Sequence, residues 1–227
     1  MTAGLATMVA PAGAAQLQNV PIGALPAACA SAPHGRACID GVVVALDAAR
    51  STIGLAPYGL PANFDSLPGT RQIFILANLD RIALGLPPIA GIVPALGNST
   101  HAGVLADGDP NPASALSGLA SFSWTANWAG GWFNAPYAYY EWMYDDGYNG
   151  AETSNVDCTT AVASGCWDHR RNVLAFAQLG TVVMGASVGP DAHGQIGYAM
   201  TLVWTPGNSS WTSFSYTWGQ SQASKRH

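Results

Sequence analysis

Cysteine and carboxylate spacing sets the first limits on the chemistry of this 227-residue chain. Cys29 and Cys38 form one close pair and Cys158 and Cys166 another, each spanning a small, polar, turn-forming stretch. Four cysteines allow three connectivities, so pairing is not fixed by number alone. A zinc knuckle would need ligands two to four residues apart, which neither pair offers. The spacing favours two local disulfides and an oxidising compartment. Each closed loop then removes about 2–3 kcal/mol of unfolded-state entropy.

Asp145-Asp146-Gly147, with Asn149, Asn155 and Asp157, gathers oxygen atoms of the kind Ca²⁺ takes. The stretch lacks the EF-hand spacing and closing Glu, so a polar turn is expected. No His-Glu-x-x-His helix and no Gly-x-Ser-x-Gly elbow occurs. Ser123 and Thr125 have no partner base that the sequence identifies. His34, His193 and His227 read as solvated side chains, and Arg170 and Arg171 as partners of Asp168 or caps of a short helix. Trp124, Trp128, Trp132, Trp142 and Trp167 crowd into one region with five tyrosines. Trp132 and Tyr148, flanked by Gly and Asn, are the ones expected at the surface, where indole and phenol rings suit a sugar or a lipid.

Charged residues make up only 9% of the chain, against roughly 25% in an average soluble protein. Gly, Pro, Ser, Thr and Asn take their place and imply many turns. A net charge of −5 with scattered Lys and Arg leaves no footprint for nucleic acid. No apolar run reaches the roughly 20 residues of a membrane span. Residues 1–15 end in Ala-Gly-Ala-Ala and read as a truncated secretory signal.

The elements follow from periodicity. Residues 39–55 carry Val43, Leu46, Ala49 and Ile53 at helical spacing, and residues 71–84 carry Phe74, Ile75, Asn78, Leu79 and Ile82. Thr70 is a candidate N-cap for the second helix. A third helix is expected from about residue 93 to 106, a strand over 122–128, an aromatic helix over 136–143 and a short helix over 169–179. Two apolar, β-branched runs, 182–188 and 198–204, predict antiparallel strands. Helices first and strands late make the chain α+β. Residues 16–59 form an N-terminal extension with a helix, and 207–227 a tail or edge strand.

Three segments together resemble the CAP superfamily, which comprises cysteine-rich secretory proteins, antigen 5 and plant pathogenesis-related proteins. The first is Asn78-Leu79-Asp80-Arg81 with Gly85-Leu86-Pro87-Pro88-Ile89. Next come Trp142-Met143 and His169-Arg170-Arg171-Asn172-Val173-Leu174, separated here by the cysteine-tied insertion 145–168. The last is Val183-Met184-Gly185-Ala186 with Tyr198 to Trp204. The resemblance covers residues 60–206. It implies an α-β-α sandwich, a small antiparallel sheet flanked by helices, and core positions for Trp128 and Trp142.

The resemblance also implies a central cleft of two His and two acids, sometimes with a divalent metal. His101, His169 and Asp145 match that pattern, with Glu141 as the second candidate for the acid. Ala126, in Thr125-Ala126-Asn127-Trp128, stands where the family carries a Glu. Two imidazoles and a carboxylate are a zinc-type donor set. The implied function is a secreted binding or scaffold protein holding a small ligand or cation, with lipid or cell-envelope glycan as partners. A metal-assisted hydrolase in the same cleft is the alternative.

Overall fold

The computed structural model describes residues 18–207 and 211–223; the signal-like stretch 1–15 lies outside them. In chain order the elements are α1 (Ala28–Ser31), α2 (Arg36–Thr52), α3 (Gly69–Ala83), β1 (Gly91–Ile92), α4 (Gly97–Leu105), β2 (Ser123–Gly130), α5 (Ala135–Tyr144), α6 (Asp168–Val173), β3 (Thr181–Pro190), β4 (Ile196–Thr205), β5 (Tyr216–Thr217) and α7 (Trp218–Ala223). The five strands form one sheet in the order β2-β4-β3-β1-β5. Its centre is antiparallel, with Trp128 opposite Ala199 and Met184 opposite Leu202. The expectation of a purely antiparallel sheet needs one correction, because β1 runs parallel to β3. The Pro87-Pro88 turn lays the chain along β3, and backbone bonds of 2.8 Å from Ala90 to Val182 and from Val93 to Met184 hold it there.

Alternation along β3 and β4 decides what lies on each face. Val182, Met184, Tyr198, Met200 and Leu202 point to a large core shared with α2, α3 and α5. Val183 and Val203 point the other way, to a smaller core with Val93, Leu96 and Leu116 beneath α4. Both faces are covered, which is why these runs read as continuously apolar rather than alternating. Gly185 permits the close approach of α4: a Cβ there would lie 2.5 Å from Thr100 Oγ1 and 2.6 Å from Leu96 Cβ.

The N-terminal extension is part of the main core. Ile39, Val42, Leu46 and Ala49 of α2 are buried at helical spacing in the cluster that contains α3 and α5. The Cys29–Cys38 disulfide links α1 to α2, and Cys158–Cys166 closes the loop before α6. Helix α3 starts at Gly69 after Pro68, without a side-chain cap. Thr70 is therefore its second residue and not its N-cap. Among the described residues the tail contributes less strand than its aromatic alternation predicts: Tyr216–Thr217 alone pairs, at the sheet edge beside β1. Edge contacts of Phe74 with Tyr216 (5.7 Å) and Trp218 (6.4 Å) anchor it to α3.

Arg81 is fully buried and its hydrogen bonds go to carbonyl oxygens: Pro87 (3.0 Å), Val173 (2.9 Å), Ala175 (2.6 Å) and Phe176 (3.3 Å). Burial lowers its pKa to about 10. These bonds consume carbonyls that a continuing α6 would use, and Phe176 adopts a left-handed φ of 67°. Helix α6 therefore stops at Val173 rather than running to residue 179. Asn78 completes the clamp by bonding both the N–H (2.6 Å) and the C=O (3.2 Å) of Ile89. Arg81→Lys keeps the charge and loses the planar fork. It is expected to cost about 2 kcal/mol, read as a lower denaturant midpoint at unchanged slope.

Candidate functional site

The site grows from two helices brought against β2. Helix α5 begins at Asn134, whose side chain accepts from Tyr137 N–H (3.0 Å) and donates to Pro33 C=O (2.9 Å). All ten residues of α5 are buried, and Trp142 Nε1 donates to Trp128 C=O (3.1 Å). That bond fixes which side of α5 meets β2. Helix α6 is stitched to the same strand. Asn127 Nδ2 donates to His169 C=O (2.9 Å), Asn172 Nδ2 donates to Ala126 C=O (2.8 Å) and Asn127 Oδ1 (2.9 Å), and Thr125 Oγ1 donates to Asn172 C=O (3.1 Å). Two segments singled out separately in the sequence thus bond one another directly.

His169 is oriented by Asp146. Asp146 Oδ1 lies 2.7 Å from His169 Nδ1 and 2.6 Å from Asn155 Nδ2, while Oδ2 accepts from Arg170 N–H (3.0 Å). An ionised carboxylate only accepts, so Nδ1 carries the proton and Nε2 is left for a ligand. Burial works against the imidazolium. The bond and charge of Asp146, with Asp109 and Asp157 nearby, outweigh it and raise the His169 pKa. Asn155 also donates to Gly165 C=O (2.9 Å) and accepts from Asp157 N–H (2.9 Å). The stretch 145–157 is thus a braced polar turn. Trp167, at φ 65°, packs on Gly147, where a Cβ would fall 2.5 Å from its ring.

These groups line a cavity of about 370 Å³. Trp128, Trp132 and Trp142 supply apolar wall. Glu141 and His169 both line it, and Asp109 comes from the loop after α4. Glu141 is 7% exposed and its Oε2 has no hydrogen-bond partner. Burial raises its pKa to about 7; the Ser154 hydroxyl opposes this, and Asp145 and Asp146 add to it. Asp145 rises to about 6 through burial and the Asp146 charge. A second recess of about 550 Å³, lined by residues 18–21, Ile53, Tyr144 and Trp167, contains no acid or imidazole.

The structure distributes the sequence-derived site residues unevenly. Glu141 and His169 share the cavity. The acid bonded to His169 is Asp146, not Asp145. Helix α5 ends at Tyr144, so Asp145 caps it one turn beyond Glu141, and Asp146, already outside the helix, turns to α6. His101 is exposed on α4, with Nδ1 3.1 Å from Ser187 Oγ, and does not line the cavity. Among the described residues no three His, Cys, Asp or Glu side chains converge to hold a metal ion. The set His101, His169 and Asp145 does not fit zinc.

Trp142 is core, as expected, whereas Trp128 is half-buried and forms cavity wall. Tyr148 is 44% exposed and Trp132 half-buried. His193 projects to solvent with Nε2 3.1 Å from Asp107 Oδ2. Arg171 pairs with Asp168, while Arg170 is buried and donates to Met143 C=O. Sequence reasoning missed Asp109, Asp157 and Trp128 as cavity residues, because only the folded chain brings their loops and strand together. The two disulfides, and the lack of any described helix long and apolar enough to cross a membrane, are consistent with an extracellular protein. Comparison with protein-family models, curated proteins and solved structures finds no match to this chain.

Proposed function

We propose that this chain is a secreted, CAP-like binding protein whose cleft, between α5, α6 and β2, takes a small polar ligand. One observation carries the reading: Glu141 is buried in the wall of a 370 Å³ cavity with Oε2 unpartnered. A buried polar atom left without a partner costs about 1–3 kcal/mol, and a ligand donor that reaches Oε2 as the wall adjusts offsets that cost. Nε2 of His169, left available by the Asp146 bond, supplies a second polar contact in the same cavity. An indole wall with polar side chains placed among the rings is the usual make-up of a small-molecule site.

The CAP-like part of the reading is supported by the helix-flanked sheet and by the bonds joining Asn127, His169 and Asn172. Secretion is supported by the two disulfides. Binding is favoured over hydrolysis because no described hydroxyl is hydrogen-bonded to His169.

The test is a panel of neutral sugars, amines and carboxylates titrated into isotopically labelled protein. The His169 imidazole and Trp128 indole NMR signals are followed. Saturable shifts at both residues are expected for at least one class, weakened tenfold or more in His169→Ala and Glu141→Gln variants that melt as cooperatively as the parent. Absence of shifts with every class overturns the proposal, as does binding that both variants retain in full.

A further inference from the structure

The composition of the cavity wall narrows the class of ligand. Five carboxyl groups line it, from Asp107, Asp109, Glu141, Asp146 and Asp157, against one imidazole and no Lys or Arg. Two of the five are answered within the protein: Asp146 by His169, and Asp107 by His193. Asp109, Glu141 and Asp157 make no ion pair among the described residues. Glu141 is the informative one, since it is more than nine-tenths buried and its Oε2 is unpartnered.

Such a wall repels carboxylates and phosphates, and it disfavours a fatty acid despite the indoles. A bare metal ion fits poorly too, because no three donors converge. The remaining complement to dispersed negative charge beside indole rings is a cation with apolar substituents. Ring quadrupoles and carboxylates attract such a group together.

We infer that the cleft selects a small organic ammonium, its charged nitrogen near Glu141 and Asp109 and its apolar part against Trp128 and Trp132. This rests on the ligand-binding reading of the cleft. It goes further by assigning charge selectivity to residues that the CAP resemblance does not specify, namely Asp109 and Asp157.

The selectivity carries a pH signature. Glu141, at about 7, is roughly half-protonated at neutral pH, and a cation bound beside it displaces that proton. The groups facing Glu141 are Asp145 and Asp146 beyond its helix, Ser154 from the braced turn, and Tyr137 and Tyr140 on α5. Asp107, Asp109, Asp157 and His169 also line the cavity. Deprotonation of His169 on raising the pH acts in the same direction as ionisation of Glu141, so ammonium affinity rises with pH.

The experiment is calorimetric titration of the oxidised full chain with choline, with 1,4-diaminobutane, and with 3,3-dimethylbutan-1-ol, the uncharged isostere of choline, at pH 6 and pH 8. At least one ammonium is expected to bind tenfold or more tightly than the isostere, with affinity about tenfold higher at pH 8, as the ionised fraction of Glu141 dictates. Glu141→Gln is expected to flatten that pH dependence, and Glu141→Asp to retain part of it.

Equal binding of choline and its isostere overturns the ammonium selectivity and leaves the cleft reading standing. The same holds if neither ammonium binds while a sugar or carboxylate shifts the His169 signal. Failure of every solute class removes both proposals. Should Glu141→Gln prove unfolded, Asp109→Asn on the exposed loop supplies the second variant, with a threefold or greater loss of ammonium affinity expected and no loss overturning the assignment.

Discussion

Replacing Asp80 with alanine is expected to destabilise the fold by about 3–5 kcal/mol, the range for breaking a buried ion pair from one side. Asp80 is fully buried on α3 and pairs with Arg50 of α2. It also accepts from Tyr58 (2.5 Å), Tyr139 (2.7 Å) and Tyr144 (3.0 and 3.1 Å). One carboxylate thus joins the N-terminal extension to α3 and α5. Arg50 is itself 4% exposed and stacks over the Tyr58 ring at 4.1 Å, so it has no route to water once Asp80 is gone. For a chain of this size the loss corresponds to about 6–20 °C in Tm. Replacing both partners with apolar residues, as Arg50→Met/Asp80→Leu, is expected to recover most of the loss. Thermal melts of both variants decide it: a single variant within 1–2 °C of the parent would refute the hub role.

Glu141→Gln is expected to change stability in a pH-dependent way with a known sign. The folded-state pKa, about 7, lies above the ordinary value of 4.5 because of burial. The folded chain therefore holds this proton more tightly than the unfolded chain does. Glu141 costs nothing below about pH 4.5, where both states are protonated, and its cost grows as the pH rises to 7. The full difference of about 2.5 pH units corresponds to about 3 kcal/mol. Gln mimics the protonated form, so the variant should match the parent near pH 4 and exceed it by up to about 3 kcal/mol at pH 8. Asp145, raised to about 6 by the same burial, gives both proteins a residual slope of the same sign. Denaturant midpoints measured from pH 4 to 8 test the point, and a variant-to-parent difference that stays constant across that range would defeat it. A stability gain on removing a cavity carboxylate is also the signature of a group retained for binding.

Much of the architecture was legible in local pattern. Helical spacing of Leu46 and Ala49, and of Phe74, Ile75 and Asn78, located α2 and α3 within a few residues. Apolar β-branched runs located β3 and β4, and the cysteine spacing gave both disulfides. Each of these signals is carried by residues near one another in the chain, which is why a sequence can state them. The length of α6 was not legible, since Arg81, some 92 residues away, competes for the carbonyls of its last turn.

The sequence by itself determined the α+β class and the two cysteine loops. Only the tertiary structure decided that Asp146 rather than Asp145 orients His169, that His101 stays outside the cavity beside Ser187, and that Trp128 is wall rather than core. A single residue past a helix end reverses the direction of a side chain, and periodicity cannot resolve that. Likewise, whether an acid is shared between Arg50 and three tyrosines or left without a cationic partner like Glu141 depends on which distant helices pack together, a choice made by the collective burial of their apolar faces.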